Sequence, residues 1–232
     1  MEPGGAVVLL SGGVDSTTLL HLVSREMRVP AVYALSVAYG QKHSRELEMA
    51  RFQARAAGAR EHRVVDLSGY AELARAGSAL TDPGRRIQPM EAVPGEQRDQ
   101  PPTYVPNRNM VLLSLAAAWA ETLGVSDVFY GAQRQDRYGY WDCTEAFVSG
   151  INALLAQNRR NAVRIHAPFV SHSKTEVVKK GLALGVDYSH TWTCYRGGMA
   201  PCGECPSCVE RAAAFAGAGA ADPLVSSAGK GA

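Results

Sequence analysis

Two stretches concentrate the residue types that chemistry needs. In VVLLSGGVDSTTLL (Val7 to Leu20) an apolar run breaks at Ser11-Gly12-Gly13 and turns apolar again after Asp15-Ser16-Thr17-Thr18. Paired glycines let backbone amides approach a ligand closely and tolerate positive φ. A helix starting near Asp15 or Ser16 aims its unpaired N–H groups at the same place. With the hydroxyls of Ser11, Ser16, Thr17 and Thr18 the stretch can cradle a phosphate. The alternative is an ordinary strand-to-helix turn capped by Asp15 or Ser16. No Lys follows as in G-x-x-x-x-G-K-[ST], and the pattern is not G-x-G-x-x-G. Standard γ-phosphate transfer and a dinucleotide fingerprint are therefore disfavoured.

The second stretch, CYRGGMAPCGECPSC, sets Cys194, Cys202, Cys205 and Cys208 in a C-x7-C-x2-C-x2-C pattern. C-x2-C turns bring two thiolates to one ion, and four close a tetrahedral shell at roughly 2.3 Å. A redox pair or an iron–sulfur cluster is the rival. With no ligand to spare, the set favours one structural Zn²⁺, which has no open position for activating water. The fifth cysteine, Cys143, reads as a small buried hydrophobe.

The elements that must position these residues alternate along the chain. Strands are expected at Ala6 to Leu10, Ala31 to Ala38, His62 to Leu67, Asp127 to Ala132 and Arg164 to Phe169. Helices are expected at Ser16 to Arg25, Arg45 to Ala57, Asn109 to Leu123, Glu145 to Gln157 and Ser173 to Leu184. Strand–helix alternation of this kind makes an α/β domain, a doubly wound parallel sheet with helices on both faces. The turns after such strands lie at the carboxyl edge, where open α/β folds bind ligands. Residues 77–106, rich in Pro, Gly and polar side chains, read as a long loop of the kind that forms lids or insertions. We expect residues 1–190 to form the α/β domain, 191–216 the four-cysteine segment with a C-terminal helix, and 217–232 a flexible tail.

The 232 residues suit one domain with a small appendage. Hydrophobic residues make up 46% and charged ones 20%, and 24 Lys plus Arg balance 22 Asp plus Glu to a net charge of +2. That balance argues against a stable nucleic-acid partner or an anionic membrane surface. No apolar run reaches a membrane span of about 20 residues, and the start has no secretory signal pattern. A cytoplasmic protein is expected, with thiols or metal ligands in place of disulfides.

The loop resembles the S-G-G-x-D-S loop of the PP-loop ATP pyrophosphatases, which cleave ATP between the α and β phosphates and adenylate a substrate. The loop with the cysteine spacing resembles the 7-cyano-7-deazaguanine (preQ0) synthase family. GSALTD (Gly77 to Asp82), TYVPNRNM (Thr103 to Met110), GYWDC (Gly139 to Cys143), SKTEVVKKG (Ser173 to Gly181) and GVDYSHTWTCY (Gly185 to Tyr195) follow in family order. The resemblance implies an ATP-dependent ligase that adenylates the carboxylate of 7-carboxy-7-deazaguanine and aminates it with ammonia. A second adenylation then dehydrates the amide to the nitrile, in queuosine and related deazapurine biosynthesis. It also implies small-molecule partners and a homodimer.

On that resemblance Leu10, Ser11, Gly12, Gly13, Val14, Asp15, Ser16, Thr17 and Thr18 hold ATP, with Mg²⁺ on its phosphates and Asp15 on the metal or its waters. Asp15, Ser16, Arg108 and Lys174 are the catalytic set. Arg108 suits a bidentate clamp on phosphate or carboxylate, and Lys174 reaches developing charge; a solvated helix-end Arg and a surface Lys are the plainer alternatives. Arg108, Asp136, Tyr140 and Asp142, with Tyr138 close by, are assigned to the purine-like substrate; the plainer reading is a packed aromatic turn with a capping Asp. The chain departs from the family at Trp141, usually Pro, and at Gly131-Ala132-Gln133-Arg134-Gln135-Asp136, usually G-V-N-A-x-D. Both changes fall in the presumed base pocket. Related readings are a paralogue that adenylates another deazapurine or attaches one to another acceptor, a PP-loop tRNA-modifying enzyme, and a zinc-stabilised nucleotide sensor.

Overall fold

The computed structural model describes residues 4–40, 45–92, 101–134, 136 and 139–228. Five strands, β1 (Gly5–Leu9), β2 (Ala31–Ala38), β3 (Glu61–Asp66), β4 (Asp127–Phe129) and β5 (Arg164–His166), form one sheet in the order β3-β2-β1-β4-β5. Every pairing is parallel; Val7, for example, sits opposite Tyr33 on one side and Val128 on the other. The chain winds from β1 outward to β3, then returns to the other side of β1. The β1/β4 junction is therefore the switch point, where the turns after the two strands diverge and leave a crevice.

Eight α-helices are described: α1 (Val14–His21), α2 (Arg45–Ala56), α3 (Ser68–Ala74), α4 (Arg108–Leu123), α5 (Glu145–Leu155), α6 (Lys174–Ala183), α7 (Pro206–Gly217) and α8 (Pro223–Ala228). The period-two alternation of the strands sorts them. Val7, Tyr33 and Leu35 pack with α4 residues Leu113, Ala116 and Ala120 and with Phe147 of α5. Ala6, Val8, Val32 and Ala34 face the opposite way, against Leu19 and Leu20 of α1, Ala50 and Ala54 of α2 and Val177 of α6. The strands, covered on both faces, read as near-continuous apolar runs.

The structure departs from the sequence reading in several places. α1 begins at Val14 with Gly13 as its cap, so neither Asp15 nor Ser16 caps it. It ends at His21 and passes into a wider π-helical turn, Leu22–Glu26. β4 stops at Phe129, because Gly131 then crosses α1 so closely that an added Cβ would lie 3.2 Å from the Asp15 carbonyl carbon and the Ser16 nitrogen. The stretch 77–106 is packed where it is described: Ala79, Leu80, Ile87 and Val105 are buried with Trp192, Cys194, Cys205 and Cys208. α3 lies just before it, on a stretch where no element was expected.

The segment expected as a flexible tail is held to the body near its start. Arg211 of α7 is buried and holds Asp222 through two bonds of 2.7 and 2.9 Å, and α8 follows at once. Residues 229–232 lie outside the described residues. No described helix is long and apolar enough to cross a membrane.

Candidate active site

A cavity of about 540 Å³ opens at the carboxyl edge over the β1/β4 junction. The loop after β1 forms its floor. Leu10, Ser11, Gly13, Val14, Asp15 and Ser16 line it. Inside the loop, Ser11 and Ser16 hydroxyls lie 2.9 Å apart, and the Gly13 N–H donates to Ser11 Oγ at 3.2 Å. Gly12 does not line the cavity. With φ at +85°, it lies under α2, and a Cβ there would sit 2.2 Å from the Glu46 carbonyl oxygen. Only glycine permits that approach, which lets α2 close on the loop.

Thr17 and Thr18 also stay off the wall. Thr18 turns into the protein, donating to the Val14 carbonyl at 2.8 Å and pairing with the Tyr188 hydroxyl at 2.6 Å. Thr17 Oγ1 is buried with no hydrogen-bond partner among the described residues. Thr18 thus stands behind the loop: the α-helical phase after Gly13 points Asp15 and Ser16 outward and Thr18 inward.

Lys174, the first residue of α6, is buried against the cavity, its Nζ 3.4 Å from Asp15 Oδ2 and 3.4 Å from Glu210 Oε2. Burial alone disfavours its charge, yet Asp15, Glu210 and Asp136 together hold the ammonium well above the ordinary lysine range. It is a fixed cation at every physiological pH. Asp136 is also pushed up, to about 6, mainly by burial and partly by Asp15 and Glu210, with Lys174 opposing the rise. Its carboxylate accepts from the Gln133 side chain at 2.9 Å.

A second cluster on the same wall gathers around Arg108, at the start of α4. Tyr39, just past β2, hydrogen-bonds it, and Asp142 contributes negative potential. Glu46 of α2 faces the same guanidinium, but burial wins and lifts its carboxyl to about 7. Tyr140 and Tyr195 line the cavity and sense both Arg108 and Asp136, so they bridge the two clusters. Tyr140 is fixed by Thr103, whose hydroxyl lies 2.8 Å from its own.

Of the residues assigned to the substrate, Arg108, Asp136 and Tyr140 line the cavity and Asp142 does not. Asp142 is buried behind the wall, where its Oδ2 accepts the Asn109 N–H at 3.2 Å and steadies the open end of α4. Trp141 points outward, its indole N–H donating to the Tyr104 hydroxyl at 2.8 Å. The departure at Trp141 thus falls outside the cavity. Gln133 is fully buried and supports Asp136. Tyr138 lies outside the described residues. Cys143 is buried, with the Asn109 amide donating to its sulfur at 3.3 Å.

Glu46, Glu210 and Tyr195 escaped the sequence reading as site residues. Glu210 had a signal, two residues beyond Cys208 on the helix that the cysteines start; Glu46 had none beyond its place at the head of α2.

The four cysteine sulfurs lie within 4.8 Å of one another. A tetrahedral shell with 2.3 Å bonds needs sulfurs about 3.8 Å apart, so the set fits one thiophilic ion. Cys205 caps α7 with Pro206 at its first position. The segment is also a cavity wall: Trp192, Thr193, Tyr195, Pro206 and Ser207 line it.

A doubly wound parallel sheet with S-G-G-x-D-S at the switch-point crevice defines a PP-loop protein. The structure of NMN synthetase from Francisella tularensis is similar in fold, with a TM-score of 0.51 at 13% identity, covering 96% of this chain and 81% of that one. Residues 5–219 match the family described as queuosine biosynthesis protein QueC, and the chain belongs to that family. It is 43% identical to the 7-cyano-7-deazaguanine synthase of Psychromonas ingrahamii over 220 residues, 94% of this chain and 96% of that protein. It is 47% identical to the enzyme of the same name from Azoarcus sp. over 226 residues, 94% of this chain and 95% of that protein.

Proposed function

We propose that the chain converts 7-carboxy-7-deazaguanine and ammonia to 7-cyano-7-deazaguanine at the expense of ATP, and that the two side-chain clusters divide the work. A carboxylate resists attack by ammonia because its leaving group would be oxide. Transfer of an adenylyl group to the carboxylate oxygen, with loss of pyrophosphate, supplies AMP as leaving group. Ammonia then displaces AMP, and the acid oxygen departs with it. The resulting amide oxygen takes a second adenylyl group; loss of AMP and two N–H protons leaves the nitrile.

Each step asks the protein for alignment and for fixed positive charge. The amides and hydroxyls of Ser11, Gly13 and Ser16 suit the phosphates, and the Lys174 ammonium suits the charge that grows at the α-phosphate. Asp15 fits a divalent cation: Oδ2 holds Lys174, while Oδ1 is buried with no hydrogen-bond partner among the described residues. Mg²⁺ there would neutralise phosphate charge and orient the pyrophosphate leaving group. Asp136, lifted to about 6, is the carboxylate beside Lys174 placed to accept a proton shed by the attacking nitrogen. Arg108 and Glu46 offer a donor and an acceptor side by side, matching a guanine-like edge with its carbonyl and N–H groups. Tyr140 and Tyr195 supply aromatic walls between the clusters. One Zn²⁺ on Cys194, Cys202, Cys205 and Cys208 would hold the segment that closes the site.

The observation that carries the reading is the family match over nearly the whole chain, on a cavity that receives both the S-G-G-x-D-S loop and the buried Lys174. The test is incubation of purified protein with 7-carboxy-7-deazaguanine, ammonium and Mg-ATP, with products read by mass spectrometry. The nitrile with two AMP per turnover is expected. AMP without nitrile contradicts the substrate assignment, and ADP contradicts adenylation. We further propose a cytoplasmic homodimer without a nucleic-acid partner, on the family resemblance and the near-neutral charge; sedimentation at low and high salt, with and without bulk tRNA, tests it.

A further inference from the structure

We propose that Glu210 is a positioning residue for Lys174, and that the four-cysteine segment acts on the reaction through it. This rests on the reading of Lys174 given above.

An ammonium on a four-carbon stem has several rotamers, and only a fixed one can meet charge developing at a single phosphorus. Lys174 is fixed from two sides: Asp15, on the nucleotide loop, holds Nζ at 3.4 Å, and Glu210, on α7, holds it at 3.4 Å. The two carboxylates are not equivalent. Asp15 lies on the phosphate floor and has a free oxygen to offer a cation, so its hold on Lys174 is open to competition. Glu210 comes from the opposite element, and α7 packs along α6 so closely that a Cβ at Gly217 would lie 2.9 Å from Thr175 Oγ1. Its carboxylate therefore keeps the amine aimed while Asp15 turns to its other partner.

The position of Glu210 is set by the cysteines. Cys205 caps α7, Cys208 lies in its first turn, and Glu210 follows on the same helix. The near side of the same segment contributes Tyr195 and Thr193 to the cavity wall. A shell that closes on all four thiolates thus fixes the start of α7, the direction in which Glu210 projects, and through it Lys174. A metal on those thiolates would do no chemistry in this arrangement and would set where the carboxylate stands.

The experiment compares Glu210→Gln and Glu210→Asp with the parent enzyme in steady-state turnover, alongside metal content, melting temperature and Mg-ATP affinity by calorimetry. Gln keeps the shape but halves the anionic clamp, so kcat is expected to fall about tenfold or more. KM for the deazapurine acid should stay within about twofold, because on this proposal Glu210 acts through Lys174 and not on that substrate. Asp, charged but one carbon shorter, should recover part of the lost kcat. Zinc content and melting temperature should match the parent. An unchanged kcat in Glu210→Gln overturns the proposal, as does a kcat loss that tracks loss of zinc or of the fold. Failure of the functional reading is separate: the parent enzyme would then form no nitrile.

Discussion

The Trp192 backbone N–H donates to the Gly12 carbonyl at 2.9 Å. One hydrogen bond thus ties the nucleotide loop after the first strand to the segment that enters the cysteine cluster. Trp192 is almost fully buried, with the Arg45 guanidinium stacked 4.9 Å from its ring centroid and Cys194 two residues on. The S-G-G-x-D-S loop and the segment that enters the four-cysteine cluster are thus joined directly through their backbones.

That connection predicts that metal removal weakens nucleotide binding as well as the fold. Protein stripped with a thiol-compatible chelator should melt earlier and bind Mg-ATP about tenfold more weakly, a loss of about 1.4 kcal/mol. Calorimetric titration below the melting temperature of the stripped form checks it. Unaltered affinity in stripped, folded protein would uncouple the two parts.

Gly12→Ala should damage stability and binding together. The new methyl collides with the Glu46 carbonyl, and the left-handed backbone at φ +85° is strained for any L side chain. A loss of about 2 kcal/mol or more is expected from urea unfolding. Gly58→Ala gives the control, since it shares a positive φ but has nothing within 4 Å of its Cβ.

Thr18→Val separates fold from chemistry in the opposite sense. The Tyr188 hydroxyl would lose its 2.6 Å partner inside a buried cluster, costing about 1–3 kcal/mol. Because Thr18 stays off the cavity wall, kcat should hold within about twofold. A selective rise in KM for ATP, or a fall in kcat, at unchanged stability would return Thr18 to the nucleotide site.

Glu46 should leave a signature in the pH dependence of stability. Its folded carboxyl titrates near 7, above the ordinary 4.5, so between those values the folded state binds more protons than the unfolded one. Stability contributed by this group is therefore full below about 4.5 and falls as pH rises toward about 7. In Glu46→Gln that fall should vanish: the melting-temperature difference, variant minus parent, should grow from pH 5 to pH 8. A flat difference would place the Glu46 titration in the ordinary carboxylate range.

Much of this was legible in the sequence because it depends on local chemistry. Alternating apolar runs gave β2 its bounds from Ala31 to Ala38, and S-G-G-x-D-S and the cysteine spacing each mark one turn or one ion. The illegible part depends on direction and on contacts between distant elements. Thr18 was grouped with Ser16 because both carry a hydroxyl, whereas helical phase turns one inward. Asp142 stands among aromatic residues as a base-binding carboxylate would, yet the open end of α4 claims it. Glu46 and Glu210 are ordinary helix-surface residues by composition, and only the closing of α2 and α7 over the crevice brings them to the site.

The central claim, two successive adenylyl transfers to oxygens of one carboxyl group, is tested most directly by isotope. 7-Carboxy-7-deazaguanine with both carboxyl oxygens labelled with ¹⁸O is converted with ammonium and Mg-ATP, and the phosphorus-containing products are weighed by mass spectrometry. The mechanism predicts that both labels end in AMP, one in each of two molecules formed per nitrile, with pyrophosphate unlabelled. Label in inorganic phosphate or in water, with AMP unlabelled, would contradict it.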